Sequence, residues 1–204
     1  MTACKGIVLL GPKHSGKTSA GAALAKLLDY LFIDLDGLIA LETGKTPREL
    51  YRESPERFRQ AEAETLERLF QTGRPEDRGV VIAAGGGIID NPQALEVLQN
   101  QEGFLTVCLE VSAETAWRRI TQSPELPPFL DTENPRETHR LLHERRSAAY
   151  RAFAAIAISG EDKNPEELGQ ELMNCWQIFS GNFTTQRRGA IDDGAQQPSI
   201  ADPS

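Results

Sequence analysis

One segment near the start of the chain, Gly11-Pro12-Lys13-His14-Ser15-Gly16-Lys17-Thr18, restricts the possible folds more than any other. It fits G-x-x-x-x-G-K-[ST]. It also stands where such a loop has to stand, after an apolar run that reads as a buried strand (Gly6 to Leu10) and at the head of an amphipathic helix (Lys17 to Leu28). Gly11 and Gly16 permit the backbone turns that aim successive N–H groups inward. The helix adds its positive end. A lysine at position 17 is placed to reach β- and γ-phosphates, and the Thr18 hydroxyl to reach Mg²⁺. His14, Ser15 and Ser19 complete the expected ATP-binding set with Gly11, Gly16, Lys17 and Thr18.

The rest of the chain has the rhythm such a loop requires. Short apolar runs at Leu31 to Ile33, Val80 to Ala84, Phe104 to Val111 and Ala155 to Ile158 read as further strands. Helical stretches alternate with them at Pro55 to Phe70, Gln93 to Asn100, Ala113 to Thr121, Arg136 to Phe153 and Pro165 to Phe179. Strand–helix alternation predicts a five-stranded parallel sheet covered on both faces, with ligands at the carboxyl ends of the strands. The segment from Ser123 to Pro135 holds four prolines and reads as irregular. From Ser180 to Ser204 Gly, Gln, Asp, Pro and Ser displace apolar spacing, which predicts a disordered tail after a single domain of residues 1–179.

Composition narrows the function. Net charge is −8, so the molecule as a whole repels polynucleotides and no nucleic-acid partner is expected. Three cysteines, Cys4, Cys108 and Cys175, form no C-x-x-C pair. No apolar run is long enough for a bilayer, and the N-terminal one is too short for a signal peptide, so no membrane partner and a cytoplasmic location are expected. The phosphate loop alone leaves GTPase, ATPase and kinase open. No N-K-x-D segment supports guanine recognition. His139 and His143 stand four apart on one predicted helix, a zinc-compatible spacing without an evident third ligand.

Four further segments resemble the shikimate kinases, in that family's order and over nearly everything but the tail. Phe32-Ile33-Asp34-Leu35-Asp36 ends the second strand; the resemblance implies that Asp34 organises the Mg²⁺ water shell and that Asp36 binds the acceptor hydroxyl. Phe58-Arg59-Gln60-Ala61-Glu62 is similar to F-R-x-x-E, whose arginine grips the acceptor carboxylate. A guanidinium suits a carboxylate for bidentate bonding, and Glu62 lies within helical reach to steady Arg59. Gly85-Gly86-Gly87 matches the glycine triplet that lies against the acceptor. Arg146, in an R-x-x-x-Y segment, matches a second carboxylate contact, with Arg145 as its neighbour and alternative.

The resemblance implies a three-layer α/β/α fold of the nucleoside-monophosphate-kinase type. It implies an ATP- and Mg²⁺-dependent enzyme that phosphorylates the 3-hydroxyl of shikimate, acting as a monomer in aromatic amino-acid biosynthesis. It fails at one place. The family's lid, here residues 122–136, carries R-P-x-L, and this chain reads Leu126-Pro127-Pro128-Phe129-Leu130. Pro127 replaces the arginine. Arg118 or Arg119 matches a family arginine that lies over the adenine, which leaves Arg136, on the lid's far shoulder, as the expected catalytic substitute. Other small-molecule kinases and a weakly catalytic nucleotide-binding regulator are the competing readings.

Overall fold

The five apolar runs form one sheet. In the computed structural model, which describes residues 5–71, 78–122 and 126–192, the strands are β1 (Gly6–Leu10), β2 (Leu31–Asp34), β3 (Val80–Ala83), β4 (Phe104–Glu110) and β5 (Ile156–Ser159). All neighbours pair in parallel, in the order β2-β3-β1-β4-β5. Side chains alternate across a strand, so β1 divides its apolar residues between two cores. Val8 and Leu10 face one side with Leu35, Ile39, Leu66, Ile82 and Tyr150. Ile7 and Leu9 face the other with Leu24, Leu109, Leu168, Leu172 and Trp176. The result is three layers, α/β/α, with β1 central and the loop after it opening at the sheet's carboxyl edge.

Eight α-helices cover the sheet among the described residues: α1 (Lys17–Leu28), α2 (Leu35–Thr43), α3 (Pro47–Glu53), α4 (Pro55–Gln71), α5 (Pro92–Gln99), α6 (Ala113–Ile120), α7 (Pro135–Phe153) and α8 (Pro165–Asp192). Two of them, α2 and α3, were missing from the sequence reading. Each carries a local start signal. Asp34 caps α2 by accepting from the Gly37 amide. Thr46 and Glu49 form a reciprocal capping box at α3, with Pro47 in the first turn. The sequence reading also stopped the last helix at Phe179, and α8 instead continues to Asp192. No proline interrupts the chain before Pro198, and Gln186, Arg187, Arg188 and Ala190 are compatible with continued helix. The remainder of the expected tail, residues 193–204, lies outside the described residues. Leu27, on α1, is 49% exposed although it is apolar. No helix among the described residues is long and apolar enough to cross a membrane.

Candidate active site

The loop between β1 and α1 builds the floor of a cleft. Gly11 has φ +136° and Gly16 φ +98°, both in the region that favours glycine. His14 also takes a positive φ, 62°, although it carries a side chain. Lys17 is buried and its ammonium donates to the carbonyls of Gly11 (2.9 Å) and Pro12 (2.7 Å) and to Ser15 Oγ (3.3 Å). Burial pulls its pKa down to about 8. A bound polyphosphate opposes that shift, because an anion beside the amine favours its charged form. His14 is held below its ordinary pKa, first by burial and then by Lys13, Lys17 and Arg119. It therefore offers the cleft a neutral ring.

Thr18 Oγ1 donates to Asp34 Oδ2 at 2.9 Å. The two residues expected at the metal thus meet at one end of the cleft, a hydroxyl beside a carboxylate. Hard oxygen donors few in number suit Mg²⁺, which keeps waters and phosphate oxygens in most of its positions. The donor set fits that ion.

The cleft is lined by Lys13 through Ser19, by Asp34, Asp36, Ala84 and Gly86, and by Arg119, Gly160, Lys163, Pro165 and Leu168. Asp36 opens to solvent through the cleft while protein surrounds it on the remaining sides. Desolvation is the main cause of its raised pKa, with Asp34 adding to the rise and Lys13 and Lys17 opposing it.

The three glycines serve three different neighbours. A Cβ at Gly85 would lie 2.9 Å from Glu62 Oε1 and 3.0 Å from Asp36 Oδ1. One at Gly86 would lie 2.7 Å from the Lys13 amide nitrogen. At Gly87 the nearest atom is Arg146 Nη2, at an ordinary 3.5 Å. The triplet lets a carboxylate pair, the phosphate loop and an arginine converge on one stretch of backbone. From α7, Arg146 Nη1 donates to the Gly86 carbonyl (3.3 Å) and Tyr150 Oη to the Gly85 carbonyl (3.5 Å). That contact accounts for both ends of the R-x-x-x-Y segment. Asp90 accepts from Arg146 Nε at 2.8 Å and also pairs with Arg145, so Arg145 stands outside the cleft wall.

Arg59 departs from expectation. Its guanidinium pairs with Glu56 at 3.4 Å, facing a groove between α4 and α5 rather than the phosphate cleft. Glu62, expected to steady it, instead accepts from Asn91 Nδ2 at 2.9 Å, and the same amide donates to the Arg59 carbonyl at 2.8 Å. Glu62 is fully buried, its Oε1 has no hydrogen-bond partner, and burial lifts its pKa to about 7. Arg136 departs further. It forms an exposed pair with Glu114 at 2.8 Å and does not line the cleft. Its position at the first turn of α7 points it toward α6, so the expected substitution for the lid arginine is not realised by this residue in the structure. Arg119, by contrast, donates to the His14 carbonyl at 2.9 Å and lines the cleft, whereas Arg118 is exposed and outside it. Sequence reasoning missed Lys163, Pro165 and Leu168, which line the cleft together with Arg119. Pro165 carried a helix-start signal, but nothing local tied it to a ligand.

A family model described as shikimate kinase matches residues 13–177. The chain belongs to the shikimate kinase family. The shikimate kinase of Lactococcus lactis is 35% identical over 173 residues, covering 84% of this chain and 98% of the relative. That of Moorella thermoacetica is 35% identical over 179 residues, covering 87% and 98%. Among solved structures, a shikimate kinase from Acinetobacter baumannii in complex with shikimate aligns with TM-score 0.74 and 31% identity, over 87% of this chain and 94% of that one. A gluconokinase from Sinorhizobium meliloti aligns at TM-score 0.54 and 16% identity, which reflects the shared fold. Family membership gives the enzyme class, a kinase acting on an alcohol, and its use of ATP with Mg²⁺.

Proposed function

We propose that this chain transfers the γ-phosphoryl group of ATP to the 3-hydroxyl of shikimate. The observation that carries the reading is the junction at the glycine triplet. There the phosphate loop, Asp36 and Arg146 meet on consecutive residues of backbone. A triphosphate on the loop and a carboxylate-bearing alcohol beside the triplet are thereby held for in-line attack.

Each residue has a chemical part. Backbone amides of the Lys13 to Thr18 stretch and the Lys17 ammonium bind the β- and γ-phosphates. Ser15 and Ser19 lie along the same cradle. Thr18 and Asp34 would hold Mg²⁺, which would supply positive charge to the phosphates. Arg119, Pro165 and Leu168 line the part of the cleft that takes the flat adenine. Asp36 accepts the proton of the attacking hydroxyl. Arg146 binds the acceptor carboxylate. Arg59 joins it by leaving Glu56, an exposed pair that contributes no more than about 1 kcal/mol. We further propose that the enzyme acts in the cytoplasm as a monomer.

ADP release measured with shikimate, quinate and gluconate tests the acceptor. Release that depends on shikimate and is weak with the other two supports the reading. Equal release without any acceptor overturns it.

A further inference from the structure

Four lysine and arginine side chains line the cleft, and three are already engaged. Lys17 is held by two loop carbonyls and Ser15, Arg119 by the His14 carbonyl, and Lys163 by the Glu171 carboxylate. Lys13 makes no hydrogen bond or ion pair with any described residue. Its backbone is fixed: the Gly86 position leaves only 2.7 Å between a notional Cβ and the Lys13 nitrogen. Its side chain borders two spaces at once, the phosphate cleft and a small hollow shared with Phe129 of the lid and Arg146. The charged groups around it are Asp36 from α2, Arg48 from α3, Lys17 from α1 and Arg146 from α7. Lys13 leads the cations that draw the Asp36 carboxyl back toward its ionised form, ahead of Lys17.

We propose that Lys13 is a catalytic cation, contacting the transferring phosphoryl group on its acceptor side. This rests on the reading that the cleft phosphorylates shikimate. In that reaction the acceptor oxygen–phosphorus bond forms as the bond from the γ-phosphorus to the bridging oxygen breaks. The hydroxyl proton passes to Asp36, and ADP carries away the bonding electrons. Charge spreads over the three equatorial oxygens as they cross from donor to acceptor. Lys17 serves them from the loop side. Lys13, from the same loop, reaches them beside Asp36 and Gly86, where the lid offers Pro127 and no cation. Arg136 is paired with Glu114 away from the cleft, and Arg48 donates to the Leu126 carbonyl at the lid's edge, so neither supplies this charge in the structure.

The test compares K13M, K13R and the double variant K13M/P127R with the unaltered protein for kcat, KM and ADP binding by calorimetry. K13M should lose about 100-fold in kcat while ADP affinity stays within about threefold. K13R should keep most of the turnover, and adding P127R to K13M should restore about tenfold, because a cation from the lid enters the same space. A K13M enzyme that turns over within about twofold of the unaltered protein overturns the proposal, as does a loss of ADP binding parallel to the loss of rate. If the unaltered protein itself fails to phosphorylate shikimate, the acceptor reading falls, and the role of Lys13 falls with it.

Discussion

Asp34 does two jobs with two oxygens. Its Oδ1 caps α2 and its Oδ2 accepts from Thr18. The two contacts use different atoms and do not compete. Asp34→Asn should leave the cap largely intact, since asparagine also caps well. It should still lower kcat about tenfold and raise the Mg²⁺ concentration needed for half-maximal rate; an unchanged magnesium dependence contradicts the metal role. Asp36 has no capping contact among the described residues, so Asp36→Asn should leave ADP binding unchanged and reduce kcat by about 10² or more. The glycines separate in the same way. Gly86→Ala forces a backbone clash with Lys13 and should weaken both ATP binding and the melting temperature. Gly87→Ala meets only ordinary contact and should fold as the parent does. Sequence pattern located this triplet but could not distinguish its members, because the difference lies in what crosses over each one. The same holds for Arg59 and Arg136. Their residue type and position along the chain were legible, whereas the direction of each guanidinium depends on the local competition with Glu56 and Glu114.

At the scale of elements, α7 is the most consequential. Its inner face carries Arg146 and Tyr150 against the glycine segment and, two turns earlier by chain order, His139 and His143 beneath the lid. Both histidines are buried. His139 packs on Trp117 at 5.5 Å and on His143 at 5.6 Å between ring centroids. His143 bonds the Val111 carbonyl, and its Nδ1 has no hydrogen-bond partner. Desolvation, followed by the neighbouring His143 and His14, lowers the His139 pKa to about 4. The sign follows directly. Above about pH 6.5 the ring is neutral folded and unfolded, so it adds no pH dependence. Below that the unfolded chain takes up a proton that the folded chain refuses until about pH 4, so stability falls as pH drops through that window. Thermal melts between pH 7 and pH 4 should show a decline that His139→Phe reduces; an identical slope in the variant contradicts the assignment. Among the elements, those with long apolar spacing were legible. The short helices α2 and α3 were not, because their signals are caps and a proline rather than a periodic face. The capping box at Thr46 and Glu49 was present in the sequence to be read.

Over the whole molecule, the order of strands and helices dictated where chemistry had to occur. Parallel strands buried on both faces read as apolar runs, and their loops at the carboxyl edge collect the polar residues that the core excludes. The phosphate loop follows β1, the Asp34–Asp36 pair follows β2 and the glycine triplet follows β3, so three neighbouring strands deliver three parts of one site. What the chain order could not deliver was the surroundings of Lys13, since Asp36, Arg48 and Arg146 come to it from three separate helices. The central claim is that one cleft brings ATP and shikimate into line. It is tested most directly by incubating the protein with ATP, Mg²⁺ and shikimate and following the phosphorus nuclei by NMR. A single new phosphate monoester should appear in equal amount to the ADP formed, and both should vanish with Lys17→Ala. Inorganic phosphate released in place of the monoester, at a rate indifferent to shikimate, would contradict it.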